Sequence, residues 1–111
     1  MDVEALTREL VAIPSHEDET AAGDAIENWL RAETDATVCR DDHGNVFGRR
    51  GATDGTAPSL ALVGHHDVVA PDESQVVDAD DSDSAYVVEE RDGRLYGRGT
   101  ADMKGSLAAA M

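Results

Sequence analysis

Apolar residues at the start of the chain are spaced for a helix. Val3, Leu6, Leu10 and Val11 recur at intervals of three and four across residues 2–12, which places them on one helical face. Pro14 ends the pattern, since it has no amide to donate and its ring clashes with the preceding turn. A second helical pattern follows, with Ala22, Ala25, Ile26, Trp29 and Leu30 on one face, fading near Glu33. Ser15 is the expected cap of this helix, with Glu17, Asp18 and Glu19 in its electropositive first turn.

Beyond Glu33 the period shortens. Residues 37–40 and 45–49 read as two short strands around a turn at Asp42-His43-Gly44. Residues 51–58 (GATDGTAP) form a loop. Residues 59–64 (SLALVG) are the most strand-like run in the chain, and their near-continuous apolar character predicts burial on both faces. Residues 71–84 are acidic with few large apolar groups and read as an exposed loop. Residues 85–90 read as a strand, Arg91-Asp92-Gly93 as a turn and residues 94–96 as the returning strand. Residues 106–111 begin a helix whose apolar character runs on without cap or breaker, as expected of a segment cut from a larger domain. Helices alternating with strands predict an α/β layered architecture.

Composition narrows the function. The 111 residues hold 24 acidic and 9 basic side chains, a formal charge of −15, and eight of the nine bases are arginine, with Lys104 the only lysine. A field of that sign repels phosphate backbones and anionic lipid, so neither nucleic acid nor a membrane is an expected partner. High acidity with little lysine suits a protein adapted to high salt, where screening relieves self-repulsion. The single cysteine, Cys39, has no internal partner, and the acidic start MDVEALTREL lacks the basic-then-apolar order of a signal peptide, so a soluble cytoplasmic protein is expected.

Two stretches carry candidate chemistry. In ALVGHHDVVA (residues 61–70) titratable groups interrupt an apolar run at the expected carboxyl end of a strand, where open α/β sheets place their ligand sites. His65 and Asp67 are two apart, so extended backbone points both the same way and His66 the other. A neutral imidazole binds zinc through one nitrogen while the other donates to a carboxylate that fixes the ring. Taken alone, the same triplet reads first as a solvated loop histidine beside a turn aspartate. In GRGTADMKG (residues 97–105) Gly97 and Gly99 allow close approach or positive φ, and Asp102 stands before a helix, where it is either a metal carboxylate or an ordinary cap. The spacing of its glycines and lysine is wrong for a phosphate-binding P-loop.

Together, GHHDVV (64–69) and GRGTADMKG (97–105) resemble the paired signatures of the zinc aminoacylase family of metallopeptidases. Acetylornithine deacetylase, succinyl-diaminopimelate desuccinylase and the glutamate-releasing carboxypeptidases belong to it. LVAIPSHEDET (10–20), GNV (44–46) and RDGRLYGRG (91–99) support the likeness, which spans nearly the whole chain. The resemblance implies a three-layer zinc-peptidase-like α/β domain with a mixed sheet, of which residues 1–111 form the N-terminal portion. It implies two zinc ions (cobalt or manganese being alternatives), with His65 a ligand of one, Asp102 bridging both, and Asp67 the catalytic carboxylate behind the histidine. It further implies a cis bond at Asp102–Met103, a small N-acyl amino acid or peptide as substrate, amide hydrolysis as the reaction, and a homodimer in the full-length family. Arg98 and Lys104 receive structural roles, salt bridging or carbonyl capping.

The likeness has gaps. The family's glutamate pair, further carboxylate and late histidine follow the second motif and have no counterpart here. Glu89-Glu90 precedes that motif and reads as a solvated strand end. The family's tryptophan and proline-aromatic pair are missing from SQVVDADDSDSAYVV (74–88). Two ligands hold zinc weakly and no base is present, so the chain alone is expected to be inactive. Two further readings stay open: a non-catalytic truncated remnant, and a calcium loop at residues 78–89, whose oxygen-bearing positions imitate an EF-hand although Asp83 stands where glycine is needed.

Overall fold

Residues 1–77 and 84–111 are described by a computed structural model of the chain. Helix α1 runs over Val3–Ala12, and Asp2 caps it by accepting a hydrogen bond from the Ala5 amide at 2.8 Å. Its chain direction breaks at Ile13-Pro14, as the proline requires. Helix α2 spans Thr20–Glu33. Ser15 does not cap it. The local cap is Asp18, which accepts from the Thr20 amide at 2.9 Å, and Ser15 is drawn 1 % exposed into the interior instead. The acidic residues 17–19 therefore precede the helix and do not occupy its first turn.

The apolar faces of the helices meet as their spacing predicts. Leu6, Leu10 and Ile26 form the core with Ala108 of helix α3 (Gly105–Ala110), and Ala25, Trp29, Leu30, Val46 and Leu107 pack around them. Burial of Leu6, Leu10 and Ile26 at roughly 1.5–3 kcal/mol each, with smaller contributions from their neighbours, is the main force holding the three helices together. On its other side α1 presents Thr7 and Val11 to the loop at Gly97 and the start of α3.

Strands appear only as antiparallel pairs. β1 (Thr37–Arg40) pairs with β2 (Val46–Arg49), placing Val38 opposite Gly48. The connecting turn is held by the Asp41 carboxylate, which accepts from the His43 and Asn45 amides, and Gly44 takes the positive φ of 86°. β3 (Val76–Val77) pairs with β4 (Ala85–Tyr86), and β5 (Glu89–Arg91) with β6 (Arg94–Tyr96) across Asp92-Gly93. The strand expected over residues 85–90 is thus two, split at Val87-Val88. The expected loop at 71–84 contains a single helical turn at Glu73–Gln75 and then β3. The calcium-loop reading falls on residues 78–89, of which 78–83 lie outside the described part.

Residues 59–64 depart furthest from expectation. They belong to no strand, and Leu60, Leu62 and Val63 are 86, 69 and 89 % exposed. The reason is physical: a buried strand exists only where neighbours satisfy its amides and cover its faces, and the described residues supply no such neighbour. The mixed sheet is accordingly not formed among them; three separate two-stranded pairs are.

The surface is dominated by carboxylates. Arg8 meets Glu4 and Glu90, Arg31 meets Glu27, and Arg40 bridges Asp24 and Glu27. Most acids remain uncompensated, since 24 carboxylates face 9 bases. Raising sodium chloride from 0.05 to 1 M should therefore stabilise the fold by screening this repulsion. A higher urea midpoint in the higher salt is the expected result, and an unchanged or lower midpoint would contradict it.

Candidate functional site

Three candidate residues are brought together at one edge of the molecule. His65 lies in the irregular segment after Gly64, and Asp102 at a kink within Thr100–Lys104, where Asp102 and Met103 leave the helical conformation before α3 begins. His65 Nε2 stands 2.9 Å from Asp102 Oδ1 across 37 sequence positions. His65 Nδ1 faces the Asp67 carbonyl at 3.0 Å and its carboxylate at 3.2 Å. Both ring nitrogens therefore confront acceptors. The Asp67 carbonyl above all raises the His65 pKa above its ordinary 6.5; burial opposes it, and the Asp102 and Asp67 carboxylates add to the rise. All three side chains are open to solvent.

The approach of Asp102 depends on glycine. Gly99 has a φ of 80°, and its carbonyl accepts from the Lys104 amide at 2.9 Å, which closes the turn around Asp102. A β-carbon at Gly99 would lie 2.4 Å from Val68 Cγ1, so the backbone of the second motif rests directly on the residue after Asp67. Gly64 is equally tight, a β-carbon there falling 2.7 Å from Leu107 Cδ2. The peptide bond Asp102–Met103 is cis. Met103 reaches back to His65, whose amide lies 3.5 Å from its sulfur.

Behind this edge sits a buried polar knot that fastens four segments. Lys104, 1 % exposed, donates from Nζ to the Ile13 carbonyl at 2.6 Å and lies 5.4 Å from the centre of the Tyr86 ring. Burial lowers its pKa from 10.5 to about 8. The Tyr86 hydroxyl accepts from the Ser15 amide at 3.0 Å and meets His16 Nδ1 at 2.6 Å, and the Ser15 carbonyl takes the Val68 amide at 3.1 Å. Lys104 is thus the carbonyl cap expected of it. Arg98 donates to the Gln75 side chain at 3.0 Å. His66 is turned away from His65 and half-buried, with a pKa lowered by burial. Sequence reasoning missed Tyr86 and misjudged Ser15, because the contact joining them spans 71 positions and neither residue bears a local signature of it.

An imidazole nitrogen and a carboxylate oxygen converging from two segments suit a borderline cation such as zinc. The donor set is nevertheless partial: among the described residues no group of three or more histidine, cysteine, aspartate or glutamate side chains is arranged to hold an ion. Glu89 and Glu90 are exposed in β5, and Glu90 is engaged by Arg8.

Comparison with known proteins gives consistent matches. The model of peptidase family M20/M25/M40 matches residues 61–111. The chain is 40 % identical over 111 aligned residues to a succinyl-diaminopimelate desuccinylase of Bordetella petrii, covering 95 % of this chain and 27 % of the relative. It is 40 % identical over 105 residues to the same-named protein of Xylella fastidiosa, covering 94 % and 26 %, and 47 % over 73 residues to that of Bordetella pertussis. The chain spans about a quarter of the length of the first two. No solved structure matches it. No described helix is long and apolar enough to cross a membrane.

Proposed function

Given that the chain belongs to peptidase family M20/M25/M40, we propose that it carries one part of a two-metal amidohydrolase centre. His65 would be a ligand of one ion and Asp102 a shared carboxylate ligand, with Asp67 orienting the imidazole from behind. Residues 1–111 are read as the N-terminal portion of a three-layer catalytic domain. The substrate class is a small N-acyl amino acid or short peptide, with the N-succinyl amino acids of the similar desuccinylases as the first to test. A cytoplasmic location and a homodimer in the longer protein belong to the same reading.

The observation that carries the proposal is the 2.9 Å approach of His65 Nε2 to Asp102 Oδ1. Two side chains 37 positions apart in a chain with so few other polar contacts between these segments converge with complementary ligand chemistry. When bound, zinc would polarise the scissile carbonyl and supply hydroxide near neutral pH. This chain's own part is to orient the imidazole through Nδ1 to Asp67, so that Nε2 faces the Asp102 carboxylate from across the site. Wedged among Gly99, Val68 and Lys104, the backbone fixes where that carboxylate stands. A base to take the attacking water's proton is not part of the described set, so no turnover is expected from the chain alone.

Zinc titration tests the assignment. Weak, one-site binding is expected in the wild-type chain, loss to background in His65→Ala and in Asp102→Ala, and a loss of about tenfold or more in Asp67→Asn. Equal binding by all four proteins would overturn the site. The affinity should also rise with pH through the raised pKa of His65, since metal and proton compete for Nε2. That rise should disappear in His65→Ala.

A further inference from the structure

Little packing holds the His65 ring. Its side chain is 46 % exposed, so hydrogen bonds and not neighbouring bulk decide which way it faces. The carbonyl that meets Nδ1 at 3.0 Å belongs to the peptide unit joining Asp67 to Val68. That unit is planar, and in a trans peptide the N–H and C=O point opposite ways. Whatever fixes the Val68 amide therefore fixes the carbonyl that His65 faces. The Val68 amide donates to the Ser15 carbonyl at 3.1 Å, and the Val68 side chain is buried against Gly99.

Ser15 lies in no helix or strand, so its carbonyl needs a partner to aim it. Two groups beside it converge on one atom. The Tyr86 hydroxyl accepts from the Ser15 amide at 3.0 Å and meets His16 Nδ1 at 2.6 Å. One oxygen thus grips the chain just before and just after the Ser15 carbonyl, which cannot turn without breaking one of the two contacts. The oxygen is itself fixed, because Tyr86 is buried and paired with Val76 in β4. The ring of the same tyrosine lies 5.4 Å from Lys104 Nζ, and the Lys104 amide closes the turn that presents Asp102. Both segments that meet at the site lead back to Tyr86, one through its hydroxyl and the other through its ring.

We propose that Tyr86 is a positioning residue, whose hydroxyl acts through Ser15 and the Asp67–Val68 peptide to hold the His65 ring opposite Asp102. It touches neither an ion nor a substrate. Its consequence for metal binding rests on the reading of His65 and Asp102 as ligands, whereas the positioning itself is present without metal. Tyr86→Phe keeps the ring beside Lys104 and removes one oxygen, which separates the two roles of the residue.

The test compares the wild-type chain, Tyr86→Phe and Val38→Ala, the last loosening a buried residue of β1 outside this series of hydrogen bonds. Without metal, exchange of the Val68 amide should quicken by about tenfold or more in Tyr86→Phe, beyond any change at Leu10 of α1, which reports the fold as a whole. Side-chain couplings of His65 should show one χ1 rotamer in the wild type and averaging in Tyr86→Phe. Zinc is then titrated and followed at the His65 ring resonances, which are identified by their loss in His65→Ala. Affinity should fall by about tenfold in Tyr86→Phe, the low end for outer partners of a ligating histidine. Val38→Ala should lower the urea midpoint and change none of the three readouts. An unaltered Val68 amide or His65 rotamer in Tyr86→Phe overturns the proposal. So does a measurable zinc affinity equal to that of the wild type, or an equal loss of affinity in Val38→Ala. If Tyr86→Phe frees the His65 ring but zinc leaves the wild-type ring unshifted, the metal centre is refuted and the positioning role stands.

Discussion

Gly99→Ala should destabilise the chain by about 2–5 kcal/mol, a large share of the total for a domain of this size. Two costs act together. A β-carbon on a residue held at φ 80° costs about 1–2 kcal/mol in the left-handed region. That carbon would also stand 2.4 Å from Val68 Cγ1, and overpacking of this kind typically costs about 1–3 kcal/mol. Val68 cannot swing away easily, because it is β-branched and its amide is tied to the Ser15 carbonyl. Urea denaturation should show a lowered midpoint with an unchanged slope. Combining Gly99→Ala with Val68→Ala should recover the steric part and not the conformational part, which a double-mutant cycle resolves. A single variant as stable as the wild type would mean that the second motif does not rest on the first in this way. Zinc binding should suffer as well, because Gly99 closes the turn that presents Asp102 and Val68 follows Asp67.

The second large effect is a pH dependence of stability caused by Lys104. Unfolded, this lysine keeps its proton up to about 10.5; folded, it releases it near 8 because burial penalises the ammonium. Between those values the unfolded state binds more protons, so stability rises with pH across that window. At about 1.4 kcal/mol per pH unit the rise over this window comes to about 3.5 kcal/mol, and below pH 8 the full cost of the buried charge is present. Lys104→Met should flatten this rise, since the thioether fills similar space without a charge. Its stability at neutral pH reflects two opposing changes, loss of the ammonium's burial cost and loss of the bond to the Ile13 carbonyl. The slope between pH 8 and 10.5 is therefore the diagnostic quantity. Parallel curves for the two proteins would show that Lys104 is not the titrating group.

These effects explain why some of the fold is legible in the chain and some is not. Helices α1 and α2 appear where the spacing of Leu6, Leu10, Ile26 and Trp29 puts them, because one helix needs only a single apolar face and a local cap. The hairpins at Gly44 and Gly93 are legible because each turn carries its own chemistry within four residues. Ser15 misleads for the opposite reason. Its local pattern is that of a cap, but a tyrosine 71 positions away offers its amide a buried partner, and Asp18 is closer to the helix that needs capping. The motif residues His65, Asp67 and Asp102 are picked out by resemblance, yet nothing in their spacing states a separation in space.

The amino-acid sequence by itself determined the helical faces, the tight turns, the acidic surface and the kinship that the paired motifs announce, all of which depend on residues close together or on composition. Tertiary structure alone decided that His65 meets Asp102, that Lys104 is sealed under Tyr86, and that SLALVG stands uncovered. Each of those outcomes depends on what reaches a residue from a remote part of the chain. A helix carries its backbone partners within itself, whereas a strand or a ligand cluster borrows them from elsewhere.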